Sequence, residues 1–129
     1  MKKPNTHLAI SPTWVGTVVE LTDNRAVAQL ETRAEMCADE AGLVHGGFAF
    51  GLADYAAMLA VNDPYVVLGA AETKFLAPVC CGQLMVATAE VVTEQGKKRQ
   101  VECQISVDGR VVFTGHFTCF VLPQHIMDQ

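Results

Sequence analysis

With 129 residues, 50% of them hydrophobic, the chain is the size of one domain and can bury a sizeable core. Its formal net charge of −5 excludes a general nucleic-acid binder, which would present a basic face. It still allows an anionic small molecule held by a few local cations.

The start, Met1-Lys2-Lys3-Pro4-Asn5-Thr6-His7, is basic but polar, and no apolar signal core follows it. The longest apolar zone, Phe48 to Val61, is broken by Gly51 and Asp54 and falls short of the roughly 18 residues of a membrane helix. A soluble cytoplasmic protein is expected. Gly16–Leu21 and Arg25–Arg33 read as two strands around a turn at Asp23-Asn24. In the second, Ala26, Ala28 and Leu30 alternate with Arg25, Gln29 and Glu31. Glu35–Val44 is a loop with Gly42 as its flexible point.

Gly46 to about Asn62 is predicted as the one long helix, stopped by Asn62-Asp63-Pro64. It is apolar on nearly all sides, so it must be buried all round. Four strands follow: Tyr65–Leu76, Gln83–Thr93, Arg99–Val107 and Arg110–Leu122. A turn at Glu94-Gln95-Gly96 and a two-residue hairpin at Asp108-Gly109 punctuate them. In Arg99–Val107, Val101, Cys103, Ile105 and Val107 share a face. In the last strand Val111, Phe113, Phe117, Cys119 and Val121 do. Two strands, a helix and four strands make an α+β plan, a single domain over 1–129 with its core at about 15–122. A curved antiparallel sheet, or a second subunit, would cover such a helix.

Five cysteines, Cys37, Cys80, Cys81, Cys103 and Cys119, without CxxC spacing fit neither a disulfide framework nor a zinc site. Cys103 and Cys119 read as small buried hydrophobes. No phosphate loop, dinucleotide fingerprint or metal-ligand cluster occurs.

The segment that carries chemistry is His45-Gly46-Gly47-Phe48-Ala49-Phe50-Gly51-Leu52-Ala53-Asp54-Tyr55. At the start of a helix, backbone N–H groups lack an intrahelical partner and carry the positive end of the dipole. Glycines there let another molecule approach, so the turn at Gly46 and Gly47 can polarise a carbonyl oxygen. Asp54 is the only charged residue between Gly46 and Val61. A lone buried carboxylate costs several kcal/mol unless it is paired or protonated, which makes Asp54 a functional candidate. The bland alternative is a carboxylate accepting hydrogen bonds from a neighbouring loop or subunit. Gly46 and Asp54 are eight residues apart, about 12 Å along a helix axis. One reacting carbonyl cannot lie within reach of both. If both act on one substrate, they come from two chains, across a two-fold homodimer interface.

His45-Gly46-Gly47, with Leu52-Ala53-Asp54 nine residues after the histidine, resembles the hotdog thioesterases of the phenylacetate-pathway and 4-hydroxybenzoyl-CoA type. Phe75-Leu76-Ala77-Pro78, with Gly82 beyond it, resembles the next strand's ending in that family. The resemblance covers roughly residues 15–122. It implies a hotdog fold and acyl-CoA hydrolysis at a homodimer interface, in a dimer or a dimer of dimers, with coenzyme A entering only as part of the substrate. It implies that Asp54 is nucleophile or general base, that the Gly46 N–H polarises the thioester carbonyl, and that His45 supports the turn. Six residues before His45 the family often has Asn or Gln. Here that position is Asp39, either an alternative base beside Asp54 or a solvated loop residue.

Lys97-Lys98-Arg99, and more weakly Lys74, are candidates for binding the nucleotide phosphates of coenzyme A. The alternative is a charged hairpin tip that keeps an edge soluble. His116 shares a face with Thr114 and Thr118 and reads as part of a polar sheet surface. Glu72 and Thr73 could line an acyl pocket. Two competing functions stand beside hydrolysis: a non-catalytic acyl-CoA-binding hotdog module, and enoyl-CoA hydratase or dehydratase chemistry.

Overall fold

The computed structural model describes residues 1–129. After a short helix α1 (Pro12–Val15) come β1 (Thr17–Thr22), β2 (Arg25–Glu31), the long helix α2 (Gly46–Val61), β3 (Val66–Phe75), β4 (Leu84–Gln95), β5 (Lys98–Val107) and β6 (Arg110–Val121). The strands form one antiparallel sheet in the order β1-β2-β4-β5-β6-β3. Helix α2 packs against all six of them. This is the hotdog arrangement, and it explains the composition of α2: alanines at 49, 53, 56, 57 and 60 let the sheet close around it, and all are buried.

The alternation expected in β2 and β5 holds. Ala26, Ala28 and Leu30 are buried, and so are Val101, Cys103, Ile105 and Val107. The hairpins turn where backbone with positive φ is needed, at Asn24 (φ 63°) and at Asp108-Gly109 (φ 50° and 81°). The β4–β5 turn sits one residue later than expected. Strand β4 runs to Gln95, and Gly96-Lys97 make the corner, with Gly96 at φ 57°.

The inward face of β6 differs from the expected one. Val112, not Val111, joins Phe113, Phe117 and Cys119 in the core. The cause is a β-bulge. Ile105 pairs with Phe113 but Ser106 pairs with Val111, so Val112 is the extra residue and the alternation slips by one. The bulge also frees the Val112 carbonyl. It accepts from Leu76 N–H (2.8 Å) and Ala77 N–H (3.3 Å), which anchors the segment after β3. Helix α1 and the short 3-10 turn Ala34–Met36 are too brief to show as periodicity.

All five cysteines are free. Burial pushes the thiols of Cys103 and Cys119 up to about 12, with the Asp54 carboxylate adding to the effect at Cys119. Pulse alkylation of the native protein at mildly alkaline pH, read by mass spectrometry, should label exposed Cys80 and spare Cys103 and Cys119. Rapid labelling of Cys103 would show that the sheet does not close on α2 as described.

Candidate active site at the start of the long helix

The turn into α2 is held from both sides. The Val44 N–H donates to Val79 O (2.8 Å), and the His45 N–H donates to Met36 O (2.9 Å). His45 is the N-cap residue, in extended conformation, and its side chain makes no capping hydrogen bond. Its ring lies over Gly47, where a methyl group would stand 3.0 Å from ring atoms, and packs edge-on to Phe48 at 6.2 Å. The first backbone donor of the helix with an acceptor is Phe48 N–H, to His45 O at 3.1 Å. The N–H groups of Gly46 and Gly47 have no backbone acceptor, so two dipole-aligned donors remain for a ligand.

Gly46, the first of the two, lines an apolar cavity of about 350 Å³. Phe75, Leu76, Val79, Met85 and Val112 form its wall, and Ala49 of α2 forms part of its floor. A methyl group at Gly46 would stand 3.1 Å from Phe75 Cε1, so glycine keeps the donor accessible beside the ring. The sequence pointed to the turn but not to this wall. Met85 and Val112 reach it from β4 and from the bulge of β6, and no local pattern links them to residue 46. Glu72 and Thr73 do not line it.

Gly47, Phe50, Gly51 and Asp54, at i, i+3, i+4 and i+7, lie on a side of α2 that the sheet leaves partly open, with Phe48 and Tyr55 beside them also half-buried. A methyl group at Gly51 would meet nothing within 4 Å. On this side Asp54 is largely buried, and its Oδ1 has no hydrogen-bond partner. Burial raises its carboxyl above the ordinary value of 3.8, partly offset by attraction to His7. No group of its own chain hydrogen-bonds to that buried oxygen.

The remaining candidates lie elsewhere. Asp39 Oδ1 accepts from Ala41 N–H (3.0 Å) and Leu43 N–H (3.2 Å), which turns its own loop. The basic trio sits at the β4–β5 hairpin. Arg99 is engaged there by Glu94 (2.9 Å) and Gly96 O (2.6 Å), while Lys97 and Lys98 have no acidic partner. Lys98 pairs with Phe120 and Phe75 with Phe113, so seven residues of β6, about 23 Å, separate the hairpin from the cavity within one chain. Lys74 lines a polar groove with Glu72, Glu102 and His116. His116 bridges Glu102 (2.8 Å) and Gln100 (2.6 Å), the polar sheet surface expected.

A sheet closed around one helix, with free N–H groups at its glycine start above an apolar cavity, defines a hotdog thioesterase-like protein. The chain belongs to the thioesterase superfamily, whose family description matches residues 41–114. It is similar to the uncharacterized protein PH1136 from Pyrococcus horikoshii: 48% identity, 98% of each chain covered, TM-score 0.97. It is similar to a mutant structure of phenylacetic acid degradation protein PaaI from Thermus thermophilus, at 29% identity and TM-score 0.78, over 84% of this chain and 95% of that one. Among curated relatives it matches methylthioribose-1-phosphate isomerase of Aquifex aeolicus, 44% identical over 91% of this chain but only 26% of that protein. It also matches transcription factor FapR of Shouchella clausii, 28% identical over 92% of this chain and 63% of that protein. The chain thus spans about a quarter of the first and under two thirds of the second.

Proposed function

We propose that the chain is an acyl-CoA thioesterase acting as a homodimer, with Asp54 as its reactive carboxylate. The observation that carries this reading is the buried, unpartnered Oδ1 of Asp54 on the same helix whose glycine start opens onto an apolar cavity. The acyl group occupies the cavity, whose size suits a short or aromatic acyl group better than a long chain. The Gly46 N–H donates to the thioester oxygen as negative charge develops on it. Asp54 either attacks the carbonyl carbon, giving a mixed anhydride that water cleaves, or removes a proton from an attacking water. Either route expels coenzyme A as thiolate. The spacing of about 12 Å along α2 means that the Asp54 serving one cavity comes from the other subunit. The partly open side of α2 that carries Gly47, Phe50, Gly51 and Asp54 supports such pairing. His45 and Gly47 hold the turn, and Asp39 shapes the loop behind it.

The test is a thiol-release assay over short, aromatic and long acyl-CoAs. Turnover of at least one supports the reading, and tight binding of CoA esters without thiol release rejects it. That second outcome belongs to a non-catalytic acyl-CoA-binding module, a reading favoured by the similarity to a transcription factor.

Lys97 and Lys98, free of acidic partners, are proposed to meet the nucleotide phosphates from the partner subunit. Replacing both with alanine should raise KM for an acyl-CoA roughly tenfold and leave the matching acyl-pantetheine unchanged. Equal effects on the two substrates would remove this role.

A further inference from the structure

The exposure of its lining gives the apolar cavity a direction. Leu43, Phe75 and Leu76 are 43%, 57% and 55% exposed and form its mouth. Val79, Met85 and Val112 are buried and form a closed inner end. His45 is exposed and Gly46 half-buried, so the turn into α2 stands toward the mouth. A carbonyl held at the Gly46 N–H therefore sends its substituent inward. Met85 has the longest side chain of the three inner residues and is wholly buried. The next inward residues of β4, Ala87 and Ala89, are small, and so is Ala53, one turn beyond Ala49 on α2. The inner end also has its backbone polar groups engaged. Val79 O accepts from Val44 N–H (2.8 Å), and Val112 O accepts from Leu76 N–H (2.8 Å) and Ala77 N–H (3.3 Å). Of the side chains around the cavity only that of His45, at the turn, is polar.

We propose that Met85 is a specificity-determining residue, the stop that sets the length of the acyl group, and that this group is uncharged with an apolar far end. The proposal rests on the thioesterase reading for the chemistry at the carbonyl, while the length limit needs only that the acyl group binds. An apolar end meets Met85 and Val112 in van der Waals contact. A carboxylate or hydroxyl at that end would lose its water and find no side-chain partner. A chain that overruns the inner end must push a buried side chain into a close-packed core, which resists added volume. Methionine suits such a stop, because its unbranched thioether fills an irregular end without bringing a strong polar group.

The experiment measures binding of 2-oxoalkyl-CoA thioethers, which keep a carbonyl but cannot be hydrolysed, by calorimetry along a series of rising chain length. Hydrolysis of the matching acyl-CoAs is followed in parallel. The wild type should bind more tightly with each added methylene up to a limit and lose roughly tenfold in affinity beyond it. In Met85→Ala the limit should move outward by about three carbons, matching the heavy atoms removed. Leu76→Ala, an equal trim at the mouth, should leave the limit in place. If Met85→Ala does not fold, Met85→Val should move the limit the same way by a smaller step. At the limiting length, a chain ending in a carboxylate should bind roughly tenfold more weakly than one ending in a methyl group. A limit that stays put, or moves equally in Leu76→Ala, overturns the role of Met85, as does failure of every thioether to bind. Equal binding of the carboxylate-ended chain overturns the apolar end. If the limit moves but the wild type hydrolyses no acyl-CoA, the stop stands and the thioesterase reading falls. If hydrolysis is found and the limit does not move, the reverse holds.

Discussion

Asp54→Asn should lower acyl-CoA turnover by roughly 10²- to 10⁴-fold, the scale of losing a base or nucleophile, and should raise the melting temperature at neutral pH. Asparagine matches the shape of aspartate, so binding of the acyl group in the cavity should change little. The stability effect follows from burial. The folded protein holds the Asp54 carboxyl above its ordinary value of 3.8, so the folded state binds the proton more tightly than the unfolded chain does. Stability from this group is fully present below that ordinary value and is lost as pH rises through the raised one. Asparagine stays neutral throughout and avoids that loss. The advantage of Asp54→Asn in a melting series should therefore be largest at neutral pH and close near pH 3.8. A variant equally active, or one less stable at every pH, would show Asp54 to be an ordinary structural acceptor.

Gly46→Pro should cost roughly 10²- to 10³-fold in kcat, the loss typical of one oxyanion donor, while the helix persists. Gly46 is the first helical residue, where proline is well tolerated because its missing N–H would have had no helical acceptor. The residue before it, His45, has φ −62° and ψ 133°, the conformation proline demands of its predecessor. Gly46→Ala is the control. It brings a methyl group to about the same 3.1 Å approach to Phe75 but keeps the donor. Half-exposed Phe75 can swing aside, so the alanine variant should retain most of its kcat. Equal losses in both variants would make crowding, rather than the N–H, the cause. Full activity in the proline variant would remove the donor from the mechanism.

Much of the fold was legible because its signals are local. Alternation marks β2 and β5, Asp108-Gly109 marks a hairpin, and an all-apolar helix demands a wrapping sheet. The β6 face was legible only in part, because the bulge at Val112 depends on pairing with β5 and leaves no mark on β6 alone. The candidate site divides the same way. His45, Gly46 and Asp54 stand on one continuous segment, and a lone charge in an apolar helix is conspicuous. The cavity wall is assembled from β3, β4 and β6 and from the segment after β3, which no local pattern brings together.

In the proposed dimer each site takes Asp54 from one chain and the Gly46 N–H from the other. Mixing tests it. Asp54→Asn and Gly46→Pro proteins, each inactive alone, are unfolded together in equal amounts, refolded and assayed with an acyl-CoA hydrolysed by the wild type. About half of the dimers should be mixed, each with one intact site of two, so about a quarter of wild-type activity should return. No recovery, despite mixed dimers detected by native mass spectrometry, would place both groups in one chain or neither in the reaction.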